Sequence, residues 1–377
     1  MAGDLSQRLV EWTRAGVIDE PTADRIRAFE RQRSGSARMR WPVLIAIAFG
    51  SLTVGAGVLL FVSAHWDAMS PQTRFALVIL LVSVFHVAGA FVAERFPAMG
   101  SALHAVGTVA LGAGIFLAGQ IFNLDEHWPG GLMLWAVGGA LAAMLLKDAP
   151  QVALAATLAP AWLAAEWFVA ADDLRVVNSD AVIASGLCLL AVAYFTSVGR
   201  ERAGVRRRAL LWIGGIALLP LALALAFASD DDVANAASER AAPTLIALGW
   251  TLALGIPTAV AAFFRRRESW PILVAAVWTA ALALLIGPLT NDTASYAWWA
   301  VGAIGLVAWG VHDSRPERVN VGAVMFAATV LAFYFSQVMD KLGRSVSLIG
   351  LGVLFLIGGW ALERVRRQLV HQARGDA

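Results

Sequence analysis

Three ionisable residues, His86, His104 and Glu166, each fall within an apolar run long enough to cross a bilayer. Ionisable groups at that depth are costly, and they pair with one another, line water or mark a proton or substrate path. His86 lies nine residues before the polar turn at Arg95-Phe96, and His104 eight after it. In an antiparallel hairpin both then sit at a similar depth, roughly 12 Å from the helix ends. Two imidazoles at one depth can relay a proton or flank a polar cavity. They can equally be two neutral histidines bonded to neighbouring helices, because spacing sets depth and not facing. Glu166 falls in the outer third of its run, where it is either a gating or coupling carboxylate or one that snorkels to the surface.

A second polar group gathers at the outer mouth. His65-Trp66-Asp67 ends the first apolar run, and Gln120, Asn123, Asp125, Glu126 and His127 follow the third. Such residues can hold a divalent cation if they converge, and otherwise they are solvated loop residues. No metal site and no cofactor is assigned. The chain has no G-x-S-x-G, no H-E-x-x-H, no P-loop and no G-x-G-x-x-G. Its G-x-G pairs, such as Gly55 with Gly57, lie in apolar runs and read as helix-packing positions. The one cysteine, Cys188, excludes a disulfide framework. The reading therefore leans away from an enzyme. The outer His65, Asp67 and Asp125 are the only cluster that would suit an intramembrane enzyme acting on a lipid.

The elements that position these residues follow from composition. Of 377 residues, 59% are hydrophobic and 15% charged, with a mean hydropathy of +0.69. A soluble domain has about 45–50% apolar and about 25% charged residues. The pattern excludes a soluble enzyme, a disordered chain and a nucleic-acid-binding module, and predicts an all-α polytopic transmembrane bundle. Twelve spans are expected, at 42–64, 74–93, 99–119, 130–146, 150–169, 180–198, 209–228, 242–264, 269–289, 295–311, 319–338 and 345–362. Pro160, Pro220 and Gly255-Ile256-Pro257 interrupt three of them. Breaks of that kind mark transporter binding sites in some folds and plain kinks in others.

Charge supplies the topology. With the N-terminus inside, the outer segments hold Arg74, Arg175, Arg240, Lys341 and Arg344, which leaves 24 of the 29 basic residues cytoplasmic. That bias predicts both termini in the cytoplasm. Trp41, Trp66, Trp128, Trp270, Trp298, Trp299 and Trp360 fall near span ends, as an interfacial belt would. Arg206 to Arg208, Arg265 to Arg267 and Arg364 to Arg367 can anchor the topology or bind anionic lipid headgroups. Trp135-Ala136-Val137-Gly138-Gly139 and Trp299-Ala300-Val301-Gly302-Ala303 are similar. Each is followed by a turn, Asp148-Ala149-Pro150 and Asp313-Ser314-Arg315-Pro316, a pattern that fits either a six-plus-six repeat or coincidence in a chain rich in Ala, Gly and Trp.

Residues 1–35 are polar and read as a cytoplasmic helical hairpin. Gly16 breaks its first helix, Asp19 caps the second, and Pro21 lies in that helix's first turn. A flexible joint is expected at Ser34-Gly35-Ser36. A basic linker (36–41), a transmembrane bundle (42–362) and a basic tail (363–377) follow. The hairpin is small for a core of its own and is a candidate docking element for a cytoplasmic protein.

Several stretches resemble the bacterial membrane proteins catalogued as domain of unknown function 2157. They are Leu9 to Phe29; Phe61-Val62-Ser63-Ala64-His65-Trp66-Asp67, running on to Arg74-Phe75-Ala76-Leu77; Leu117-Ala118-Gly119-Gln120-Ile121-Phe122-Asn123-Leu124; and Leu134-Trp135-Ala136. At the other end, Val319-Asn320, Tyr334, Asp340 and Glu363-Arg364-Val365-Arg366-Arg367 are also similar. The resemblance implies a multi-pass inner-membrane protein with a short cytoplasmic N-terminal segment. It implies no activity, and it marks Trp66, Gln120, Asn123 and Asn320 as motif positions. The expected function is transporter-like, moving a small solute with proton coupling. The alternative is a membrane scaffold or sensor whose hairpin docks a partner. The expected partners are the lipid bilayer and anionic headgroups, with no nucleic acid.

Overall fold

A computed structural model describes residues 9, 12–37, 69–122, 127–174, 179–198, 204–227, 243–282 and 293–338, with isolated helical positions between 46 and 64 and between 350 and 364. The chain divides into two units, Met1–Ser70 and Pro71–Ala377.

In the first unit, Gly16 adopts a left-handed φ of +69° and ends a helical turn at Trp12 to Arg14. That conformation is nearly free for glycine and strained for other residues. Asp19 then accepts from the Thr22 amide at 3.2 Å and caps α1, Glu20–Ala37. Those contacts hold the Asp19 carboxyl below its ordinary range. Leu9 and Ala23 are buried. The expected joint at Ser34-Gly35-Ser36 is instead helical, since one glycine costs a helix only about 1 kcal/mol.

The second unit is a run of helices: α2 (Pro71–Ala93), α3 (Pro97–Phe122), α4 (Pro129–Leu146), α5 (Ala149–Asp173), α6 (Ser179–Phe195), α7 (Val205–Phe227), α8 (Pro243–Arg265), α9 (Trp270–Ala281), α10 (Thr293–His312) and α11 (Pro316–Phe333). No strand occurs among the described residues. Eight helices are long and apolar enough to cross a membrane: α2, α3, α4, α5, α7, α8, α10 and α11. Helices α6 and α9 are apolar but shorter. The expected first and last spans fall mostly outside the described residues.

Helix α6 is the most enclosed of these. Ala184, Cys188, Leu189, Ala191 and Phe195 are all buried in it. Small residues set the packing distances, as expected where lipid offers no hydrophobic drive between helices. A Cβ on Gly186 would meet Ala253 Cα at 3.0 Å, and one on Gly214 would meet the Phe195 amide at 2.4 Å. The prolines do not break their helices, since α5, α7 and α8 each run through the proline they contain. Trp299 leaves the expected interfacial belt: it is buried, edge-on to Trp278. The two repeat-like turns also differ. Lys147 before Asp148 is left-handed in one, and Ser314 after Asp313 in the other.

Candidate functional site

Helices α2 and α3 form a tight hairpin that brings two imidazoles together. His86 Nδ1 and His104 Nδ1 are 3.1 Å apart, with ring centroids 5.3 Å apart. His104 is buried and His86 half-buried. Each ring is seated on a glycine of the opposite helix. A Cβ on Gly89 would lie 3.0 Å from His104 Nδ1, and one on Gly107 would lie 2.8 Å from His86 Cδ2. The pattern is reciprocal, His86-x-x-Gly89 facing His104-x-x-Gly107, and it uses one helical turn on each side.

A contact between two Nδ1 atoms needs one N–H and one lone pair. The donating ring therefore keeps a basic Nε2, and the accepting ring carries its hydrogen on Nε2. At most one proton occupies the space between the rings.

The network continues along α3. Thr108 Oγ1 lies 3.1 Å from the His104 carbonyl and 2.9 Å from Gln151 Oε1. A hydroxyl has one hydrogen, so it cannot donate to both. With the Gln151 amide turned over, its NH2 donates to Thr108 and Thr108 donates to His104. In either orientation one end of this fully buried amide lacks a partner among the described residues. Such a group costs about 1–3 kcal/mol. Trp135 Nε1 donates to the Thr108 carbonyl at 2.8 Å, and Gly112 leaves room for its indole. Asp148 closes the chain of contacts. It caps α5 by accepting from the Gln151 backbone N–H at 3.1 Å, and it accepts from Ser101 Oγ at 2.7 Å.

Glu166 lies toward the other end of α5 and does not join this network. Its carboxylate meets His127 Nε2 at 2.6 Å and accepts from Trp162 Nε1 at 2.8 Å. The pair is partly exposed. His65, Trp66, Asp67, Asn123 and Asp125, and the side chain of Gln120, lie outside the described residues. Among the described residues no group of three or more His, Cys, Asp or Glu is placed to hold a metal ion.

A second buried site is absent from the sequence reading. Asp313, in the turn between α10 and α11, receives Arg265 Nη1 at 2.6 Å and a further bond from Arg318. All three side chains are almost fully enclosed. Arg265 also donates to the Thr196 carbonyl at 3.0 Å and the Glu268 carbonyl at 3.0 Å. Arg318 donates to the carbonyls of Thr196 and Val198. Both guanidinium groups lie over Trp309, at 5.3 and 5.4 Å. Burial pushes the Asp313 carboxyl up, but hydrogen bonds and charge from the two arginines outweigh it and hold the group below its ordinary range. The cluster ties the ends of α6, α8, α10 and α11. Arg265 is thus engaged inside the protein rather than offered to lipid, although the sequence groups it with Arg266 and Arg267. An aspartate between one arginine five residues on and another 48 residues back leaves no local signature. The only clue is its place in a tight Pro-bearing turn.

Residues 10–152 match the family model described as predicted membrane protein (DUF2157). The matched region spans the whole paired-histidine network, from His86 to Gln151, and ends before Glu166 and the Asp313 cluster. The similar stretches after Pro316 lie beyond it. No curated protein and no solved structure matches the chain.

Proposed function

We propose that this chain is a multi-pass transporter of the bacterial inner membrane that couples a small solute to protons, with His86 and His104 as the proton site. The observation that carries the reading is the 3.1 Å contact between their Nδ1 atoms on two membrane-length helices. A proton arriving at the basic Nε2 lets the bridging hydrogen cross to the other ring. The other ring then sheds its own Nε2 proton. The step conserves charge and reverses both tautomers, so a second event is needed to reset the pair. A pair that must be reset is suited to coupling and ill-suited to a steady leak. In this reading the chain has twelve spans and both termini in the cytoplasm. The Asp148 end of the network then faces the cytoplasm and the His127–Glu166 pair faces outside.

A second reading has one observation in its favour. Trp12, Val17 and Phe29 expose apolar surface on the N-terminal unit, which suits docking of a cytoplasmic protein to a membrane scaffold.

Thiol labelling separates the two. Cys188 is replaced by serine, a single cysteine is placed at position 86 or 104, and a membrane-impermeant thiol reagent is added from each side. The proton reading expects labelling from at least one side, because a relay needs water at that depth. Protection of both positions from both sides would overturn it.

A further inference from the structure

A cleft of about 430 Å³ lies between α9 and α10, and none of the residues of the histidine network lines it. Its volume is within the range of sites that hold small ligands. Its rim is exposed at Trp270, Val274 and Val301, all on apolar helices. Its floor reaches the core at Cys188, Leu218 and Leu306, which are buried. Trp278 and Trp299 give it flat aromatic walls. An opening with such a rim faces hydrocarbon, so its natural occupant is an apolar chain rather than a water-soluble solute.

The ends of the cleft differ in charge. At one end, Trp270, Trp309 and His312 line it beside the turns that carry Arg265, Arg266, Arg267, Arg315 and Arg318. Arg265, Asp313 and Arg318 belong to the enclosed cluster, so the charges left at this end are Arg266, Arg267 and Arg315 against Glu268 and Glu317, an excess of one positive charge. An apolar slot whose end carries excess positive charge matches an anionic amphiphile.

We propose that this cleft holds one acyl chain of an anionic phospholipid, with the phosphate at the turn between Arg266 and Trp270. The site rests on the membrane reading and not on proton coupling, so loss of either leaves the other standing. Two glycines make it testable. Gly305 lines the cleft, and a Cβ there meets nothing within 4 Å. Gly305→Phe therefore starts its side chain from open space on the wall of the slot. Gly255 on α8 is equally open and lies outside the cleft, so Gly255→Phe is the control.

The experiment is native mass spectrometry of delipidated full-length protein. It is re-supplied with phosphatidylglycerol or with phosphatidylethanolamine of the same chains. The wild type and Gly255→Phe are expected to retain one phosphatidylglycerol, with at least tenfold weaker retention of phosphatidylethanolamine. Gly305→Phe is expected to lose it. The double variant Arg266→Gln/Arg267→Gln is expected to bring phosphatidylglycerol down to the phosphatidylethanolamine level. Retention by Gly305→Phe equal to the wild type would overturn the cleft as the site. Equal retention of the two lipids by the wild type would overturn the anionic assignment.

Discussion

The second unit carries two buried polar centres built on opposite principles. The His86–His104 network is built from two imidazoles, a hydroxyl and an amide, and it ends at the Asp148 carboxylate. It leaves one end of the Gln151 amide without a partner among the described residues, and its two rings share a single hydrogen between their Nδ1 atoms. The Arg265–Asp313–Arg318 cluster is made of full charges, packed against backbone carbonyls and one indole. The imidazole contact can hold its hydrogen on either ring. A buried ion cluster has no such freedom, because removing one partner strands a charge in a low-dielectric site. Under the proposed function, the first centre is the one that changes state and the second is a fixed point at the helix ends, where four elements meet.

The sharpest way to break this contrast is to remove the central carboxylate. Asp313→Ala leaves two arginines enclosed and is expected to cost about 3–5 kcal/mol, read as a large fall in the thermal midpoint in detergent. If Asp313→Ala unfolds no earlier than the wild type, the cluster is not a fixed point.

Next comes the reverse experiment at the histidines. His86→Ala and His104→Ala are each expected to cut proton-coupled flux at least tenfold while costing about 1–3 kcal/mol of stability, the range for leaving one buried partner unpaired. A histidine variant that destabilises as much as Asp313→Ala would make the pair structural.

Gly107→Ala sharpens the geometry, because the new methyl would lie 2.8 Å from His86 Cδ2. It is expected to cost about 1–3 kcal/mol, as overpacking does, and to shift the pH profile of flux. A stability loss with an unchanged pH profile would mean that seating the ring does not matter to its chemistry.

Asp313 also predicts a pH dependence. Its folded pKa lies below the ordinary 3.8, so its contribution to stability is complete above that value. It is lost as the pH falls toward the folded pKa. Asp313→Asn should flatten the acid limb of the stability profile below about pH 4. The smallest effect belongs to His127→Gln. That pair is partly exposed, and surface pairs contribute about 0–1 kcal/mol.

The two centres were unequally legible from residues alone. Spacings of nine and eight residues from the Arg95-Phe96 turn set a similar depth for His86 and His104. Their facing depends on helix rotation, which spacing does not encode. The reciprocal His-x-x-Gly pattern is a signal for that facing once the hairpin is assumed. Arg265 carried no such signal, because a run of three arginines at a helix end looks alike at each position and only packing selects which one turns inward. Trp299 illustrates the same limit: its place near a helix end fits an interfacial belt, whereas its ring is enclosed against Trp278. Apolar length, by contrast, read directly onto eight membrane-length helices among the described residues.

The most direct test of the central claim is 15N solid-state NMR of histidine-labelled protein in lipid vesicles, with His86→Gln and His104→Gln used to assign the two rings among six histidines. The account predicts that near pH 7 one ring carries its hydrogen on Nδ1 and the other on Nε2, and that replacing either residue changes the tautomer signal of the other. Two rings in the same tautomer, each indifferent to loss of the other, would contradict it.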